Sequence, residues 1–90
     1  MELRETAVKN LSLLGSPKTG PLLVQIYNTD KNTDIREAVI RGLFIQNNAQ
    51  ALVDLARKET DRDLKHEIIK KLSIMHSKEA LDYMMEFLKE

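Results

Sequence analysis

Cysteine is absent from the ninety residues, which excludes disulfides, thiolate catalysis and cysteine-ligated metals and leaves the redox compartment open. Tryptophan is also absent, and aromatics amount to two tyrosines and two phenylalanines. With no sustained polar/apolar alternation and no Asn-Gly hairpin turn, strand signals are missing. Three glycines and two prolines are too few for a glycine-rich phosphate loop or a proline-rich linker. Neither sign of charge dominates: fourteen Lys and Arg balance fourteen Asp and Glu, which argues against nucleic acid or an anionic membrane as the default partner. No apolar run approaches the ~18 residues of a membrane span. The start, Met1-Glu2-Leu3-Arg4, is charged at once and lacks the apolar region of a secretory signal, so a cytoplasmic location is expected.

What remains is 42% apolar and 31% charged, the balance of one small globular domain spanning residues 1–90. An acidic–aliphatic–basic triplet recurs in it: Glu2-Leu3-Arg4, Asp34-Ile35-Arg36 and Asp63-Leu64-Lys65, at offsets of 32 and then 29. A shift of 29 lays Val39 on Ile68, Ile40 on Ile69, Arg41 on Lys70, Leu43 on Leu72, Ala51 on Ala80 and Leu52 on Leu81. A shift of 32 lays Ala7 on Val39, Val8 on Ile40, Lys9 on Arg41 and Leu11 on Leu43. The chain therefore divides into repeats of about 2–33, 34–62 and 63–90.

Each repeat reads as two helices. In the second repeat Ile35, Val39, Ile40 and Leu43 share one helical face, with Asp34 as N-cap and Glu37 as its capping-box partner. Asn47-Asn48 breaks this helix, and Asn48 caps the next, whose apolar stripe is Ala51, Leu52, Leu55 and Ala56. The third repeat offers Leu64, Ile68, Ile69, Leu72 and Met75, then Ser77 as cap, then Ala80, Leu81, Met84, Met85 and Leu88. The first offers Leu3, Ala7, Val8, Leu11 and Leu14, a turn over Gly15–Gly20, then Leu22, Leu23, Ile26 and Tyr27. Pro21 fits the first turn of that helix, where a missing N–H costs nothing.

The runs Asp-Ile-Arg-Glu-Ala-Val-Ile-Arg-Gly-Leu at 34–43 and Asp-Leu-Lys-His-Glu-Ile-Ile-Lys-Lys-Leu at 63–72 give the chain a family likeness. So do the second-helix segments Ala51–Leu55 and Ala80–Met84. The pattern resembles the HEAT-repeat family, in particular its short bacterial repeats of the phycobilisome-lyase type. The resemblance implies an all-α fold, a right-handed α-solenoid of three antiparallel helix pairs. It places first helices on the convex side and second helices on the concave side, where such proteins hold another macromolecule. Solenoids end in polar capping units. Met84, Phe87 and Leu88 in the last helix have nothing after them, so self-association through that helix or membership of a longer array is expected.

No catalytic constellation emerges. His66-Glu67 lacks the second histidine of a zinc-protease helix, and Asp63 and His66, three apart, read as a first-turn acid and a solvated side chain. His76 reads as a helix-terminal residue. No cofactor and no metal are expected, and the chain is read as non-catalytic; an accessory part of a lyase-type enzyme is an alternative by family analogy alone. Lys9, Arg41 and Lys70 form a basic stripe on the first helices, the basis of a nucleic-acid-binding alternative. Glu5 and Glu37 lie one turn before Lys9 and Arg41 and are expected to pair with them. Arg4, Arg36 and Lys65 lie nearer the apolar arc and are expected to reach acids of neighbouring turns. Phe44, where the other repeats have Ser12 and Ser73, is expected to face outward.

The second helices carry the main candidate. Opposite their apolar stripes lie Val24, Gln25 and Asn28; Gln50, Val53, Asp54 and Arg57; and Glu79, Asp82, Tyr83 and Glu86. From these, Gln25, Asp54, Arg57, Asp82, Tyr83 and Glu86 are the candidate partner-binding residues. The expected function is a protein-interaction scaffold whose acidic flank favours a basic or amide-rich peptide.

Overall fold

The computed structural model describes residues 2–14 and 19–89, without the side chains of Glu2, Arg4 and Leu14. Of the turn expected over 15–20, residues 15–18 lie outside the described residues, as do the roles expected of Arg4 and Leu14, whereas Thr19 and Gly20 already belong to the helix that follows. Among the described residues six helices follow one another: α1 (Glu2–Leu14), α2 (Thr19–Thr29), α3 (Thr33–Ile45), α4 (Ala49–Lys58), α5 (Arg62–Ser73) and α6 (Lys78–Lys89). The chain is all-α, with no strand among the described residues.

Short polar side chains set the helix starts. Asn48 Oδ1 accepts from Ala51 N at 3.1 Å, and Ser77 Oγ accepts from Ala80 N at 3.1 Å, both as expected. The cap of α3 differs: it is Asn32, whose Oδ1 accepts from Ile35 N at 3.1 Å, and not Asp34. Asn32 has the extended backbone of a cap, so Asp34 falls inside the first turn, where its charge faces the positive helix end. One repeat later, Asp61 caps α5 in the same way, accepting from Leu64 N. The turns between α3 and α4 and between α5 and α6 each place one residue in the left-handed region, Asn47 at φ 57° and His76 at φ 50°, again one repeat apart.

Contacts between helices run from neighbour to neighbour. α1 touches α2, α3 touches α4 and α5 touches α6. α1 touches α3, which touches α5; α2 touches α4, which touches α6; and α2 and α4 each touch the helix that follows, α3 and α5. Among the described residues neither α1 nor α2 touches α5 or α6. α1 and α3 lie close together at Gly42, where a Cβ would stand 2.0 Å from Ser12 Oγ and 3.0 Å from Ser12 Cβ, so a larger residue there would have to displace the buried Ser12. Ser12 is buried there and satisfies its hydroxyl by donating to Val8 O at 2.8 Å.

The core is centred on the middle of the chain. Ile35, Val39, Ile40 and Leu43 of α3 and Leu52, Leu55 and Ala56 of α4 are all inaccessible to solvent or nearly so. Leu64, Ile68 and Leu72 continue it into α5, while Val8, Leu23 and Tyr27 continue it into α1 and α2. The outer helices turn differently from their apolar lettering. In α6, Ala80 and Tyr83 are buried and Met84 and Phe87 half-buried, whereas Leu81, Met85 and Leu88 are 56, 60 and 79% exposed. In α1, Leu3 and Ala7 are exposed. Burial follows which neighbour is present, not hydrophobicity alone. Phe44 is another correction: it is half-buried against the core, with the Lys71 ammonium 5.3 Å from its ring centre, because α5 packs over that side of α3.

Candidate functional site

On the second helices, Gln25, Asn28, Gln50, Asp54, Arg57, Glu79, Asp82 and Glu86 are exposed, and Val24 is half-buried. Two of the expected outward residues point inward. Val53 belongs to the core, and Tyr83 is 5% exposed beneath the patch it was expected to present. The cause is helix rotation: the buried arc of α6 runs through Ala80, Tyr83, Met84 and Phe87, placing an amphipathic tyrosine where its ring is covered.

Tyr83 still belongs to the site as its floor. The Arg57 guanidinium lies 5.5 Å from the Tyr83 ring centre and reaches across from α4 to α6 to grip Glu86. The grip is two-pronged, Nη1 to Oε2 at 2.8 Å and Nη2 to Oε1 at 3.3 Å. Both side chains are about half exposed, so the pair orients the patch more than it stabilises the fold. One turn before Arg57, Asp54 accepts from Gln50 Nε2 at 3.1 Å. The structure thus brings together Arg57, Tyr83 and Glu86, with Asp54 and Asp82 on the same two helices. Gln25 stands apart on α2, with no side-chain bond to α4 or α6 among the described residues. A shallow depression of about 370 Å³ separates α2 from α4, lined by Gly20, Pro21, Val24, Asn48, Gln50, Ala51 and Asp54.

The basic stripe is laid out differently from the expectation. Lys9, Arg41 and Lys70 are exposed, but among the described residues only Lys70 has an acid nearby, Glu67 at 3.9 Å. No ion pair joins Glu5 to Lys9 or Glu37 to Arg41 among the described residues. Lys9 and Arg41 instead border an apolar groove of about 300 Å³ between α1 and α3, walled by Leu13, Ala38, Gly42 and Ile45. His66 is exposed, Asp63 sits in the first turn of α5, and no cluster of three metal-binding side chains occurs among the described residues.

A second cluster escaped the sequence reading. Glu59, at the end of α4, is buried and accepts from the Tyr27 hydroxyl. It also pairs with Arg36 Nη1 at 3.3 Å and accepts from Asp61 N at 2.8 Å. Arg36 lies 4.7 Å from the Tyr27 ring centre and donates through Nε to Asp30 O at 3.0 Å. The expectation that Arg36 reaches a neighbouring acid is met here. Its counterpart Lys65 pairs with no acid among the described residues and lies 5.9 Å from the Phe87 ring centre instead. Burial pushes the Tyr27 hydroxyl well above the usual tyrosine range, its hydrogen bond to Glu59 and the Glu59 charge push the same way, and Arg36 opposes them in part. The signal was available: an acid stands two places before each cap, Asp30 before Asn32 and Glu59 before Asp61, in successive repeats. Asn32 N donates to Asp30 Oδ1 at 3.0 Å just as Asp61 N donates to Glu59.

No helix among the described residues is long and apolar enough to cross a membrane. No family model, curated protein or solved structure matches the chain.

Proposed function

We propose that the chain is a HEAT-like α-solenoid of three antiparallel helix pairs that serves as a non-catalytic scaffold for another protein or a peptide, held on the face of the second helices. The neighbour-to-neighbour helix contacts support the architecture, as do the caps Asn32 and Asp61 and the left-handed turn residues Asn47 and His76, each pair one repeat apart. The observation that carries the function is the patch across α4 and α6. Arg57 is held over Tyr83 by Glu86, while Asp54 and Asp82 stand exposed beside it. A fixed guanidinium and exposed carboxylates suit a basic, amide-rich segment, whose lysines meet the acids and whose backbone carbonyls meet arginine.

Isotope-labelled protein titrated with a short lysine- and glutamine-rich peptide tests this. Amide shifts centred on Asp54, Arg57, Asp82 and Glu86 are expected, with affinity falling about tenfold in Asp54→Asn/Asp82→Asn. Unchanged affinity in that variant, or shifts centred on α1 and α3, overturns the reading. A nucleic-acid reading on the opposite face gains one observation: among the described residues Lys9 and Arg41 are exposed and have no acid partner. Three phosphate contacts give a log–log salt slope near −2.7 on duplex DNA, which is feeble binding. Submicromolar affinity at physiological salt, lost in Lys9→Glu/Arg41→Glu, would move the function there.

A further inference from the structure

Leu81, Met85 and Leu88 are spaced at i, i+4 and i+7, so they form one apolar line along α6, and all three are exposed by more than half. Their counterparts one repeat earlier are Leu52, Ala56 and Glu59, of which the first two are wholly buried and the third nearly so. At the same offset again, in the first repeat, stand Leu23 and Tyr27, buried as well. α2 and α4 differ from α6 in having the next pair of helices beside them: each is packed against a following first helix, α3 or α5, and a following second helix, α4 or α6. The line on α6 therefore corresponds to the seat that the following helix pair, led by its first helix, occupies elsewhere in this molecule.

The chain also carries a first helix with an unused face. Leu3 and Ala7 on α1 are exposed, 85% in the case of Leu3. Their counterparts in the next repeat, Ile35 and Val39, are wholly buried in a helix packed on α2. The two unpartnered faces are thus the two halves of a junction that the molecule already makes internally. We infer that α6 of one copy receives α1 of a second copy, head to tail, continuing the helix order across the boundary. The inference rests on the repeat architecture proposed above and not on the peptide site.

A head-to-tail contact uses two different surfaces, so it does not close at two copies and adds further ones. Thr6 and Asn10 flank the α1 half where α3 has Ala38 and Gly42, so the seal is poorer than the internal one. Three exposed side chains make a seat well under the ~800 Å² per partner of a tight complex, and association is weak.

Sedimentation equilibrium of the whole chain from about 10 µM to about 1 mM tests this, with two blocked variants. Leu81→Glu/Met85→Glu closes the α6 seat, and Ala7→Glu closes the α1 face. All these positions are exposed, and an unchanged helical circular dichroism signal and melting temperature verify that each variant folds. Wild type should form a concentration-dependent series beyond the dimer, and each variant alone should stay monomeric. An equimolar mixture should form a one-to-one dimer and stop, since it retains one open seat and one open face. Strictly monomeric wild type overturns the inference. So does an Ala7→Glu protein that still dimerises, because that is pairing of α6 with α6. Peptide binding is read separately, so failure of either idea leaves the other measurable.

Discussion

Two arginine–tyrosine–glutamate clusters tie second helices to their neighbours, and the difference that matters most between them is access to water. In the inner cluster Arg36 lies over Tyr27 and meets Glu59, with side-chain exposures of 15% and 4% for the charged pair. In the outer one Arg57 lies over Tyr83 and meets Glu86, with both charged groups about half exposed. The outer pair has the better geometry, two-pronged with its closest approach at 2.8 Å against a single 3.3 Å contact. Geometry does not rank them. Water screens the outer pair, whereas the inner carboxylate also serves a buried phenol and a backbone N–H. The same residue types are thus a fold-holding junction in one place and an available surface in the other.

Removing the inner carboxylate should have the largest effect. Glu59→Ala strands Arg36 in a largely buried position and takes the acceptor from the Tyr27 hydroxyl and from Asp61 N. A loss of about 3–5 kcal/mol is expected in urea unfolding, the range for breaking a buried pair from one side. Glu59→Gln, which keeps an acceptor but not the charge, should lose less. A loss under about 1 kcal/mol for Glu59→Ala would mean that the junction is as well hydrated as the outer cluster.

The alkaline limb sharpens the contrast. Tyr27 is harder to ionise in the folded chain, so above the ordinary tyrosine pKa near 10 the unfolded state sheds a proton that the folded state keeps. Stability from this group is complete below pH ~10 and falls as pH rises beyond it. Urea midpoints should be flat with respect to Tyr27 through neutral pH and drop above ~10, and Tyr27→Phe should flatten that drop. Absorbance titration of phenolate in Tyr83→Phe, which leaves Tyr27 as the sole tyrosine, should show its ionisation delayed to the pH of unfolding. An ordinary tyrosine titration in the folded protein would contradict the buried bond to Glu59.

Much of this was legible from the letters. Helix number, the caps Asn48 and Ser77 and the α3 core stripe follow from local chemistry, which needs no knowledge of neighbours. The cap of α3 did not, because Asn32 and Asp34 both have capping side chains and backbone geometry chooses between them. The rotation of α6 was hidden for a different reason. Its apolar residues cover more than half the helix circumference, so hydrophobicity gives two possible buried arcs, and only the packing partners α4 and α5 select the one through Tyr83. The inner cluster joins side chains from two helices, α2 and α3, and the turn after α4, and no periodicity of a single helix reveals that.

The smallest effect belongs to the outer cluster. Glu86→Ala removes the partner of Arg57, but water solvates both groups already, so the loss should be about 0.5 kcal/mol and should shrink further as salt rises. Released from Glu86, the guanidinium keeps its place over the Tyr83 ring only through cation–π attraction, worth about 0.5–1 kcal/mol at exposed sites. Stability and recognition should therefore separate at this residue. Denaturation should barely register Glu86→Ala, while binding of the lysine- and glutamine-rich peptide should weaken because the arginine is no longer held in one orientation and one carboxylate is gone. A double-mutant cycle of Arg57→Ala and Glu86→Ala, read in low and high salt, measures the coupling directly. A coupling of about 3 kcal/mol that salt leaves unchanged would show that the outer cluster is dry after all, and with it the distinction between junction and surface would fail.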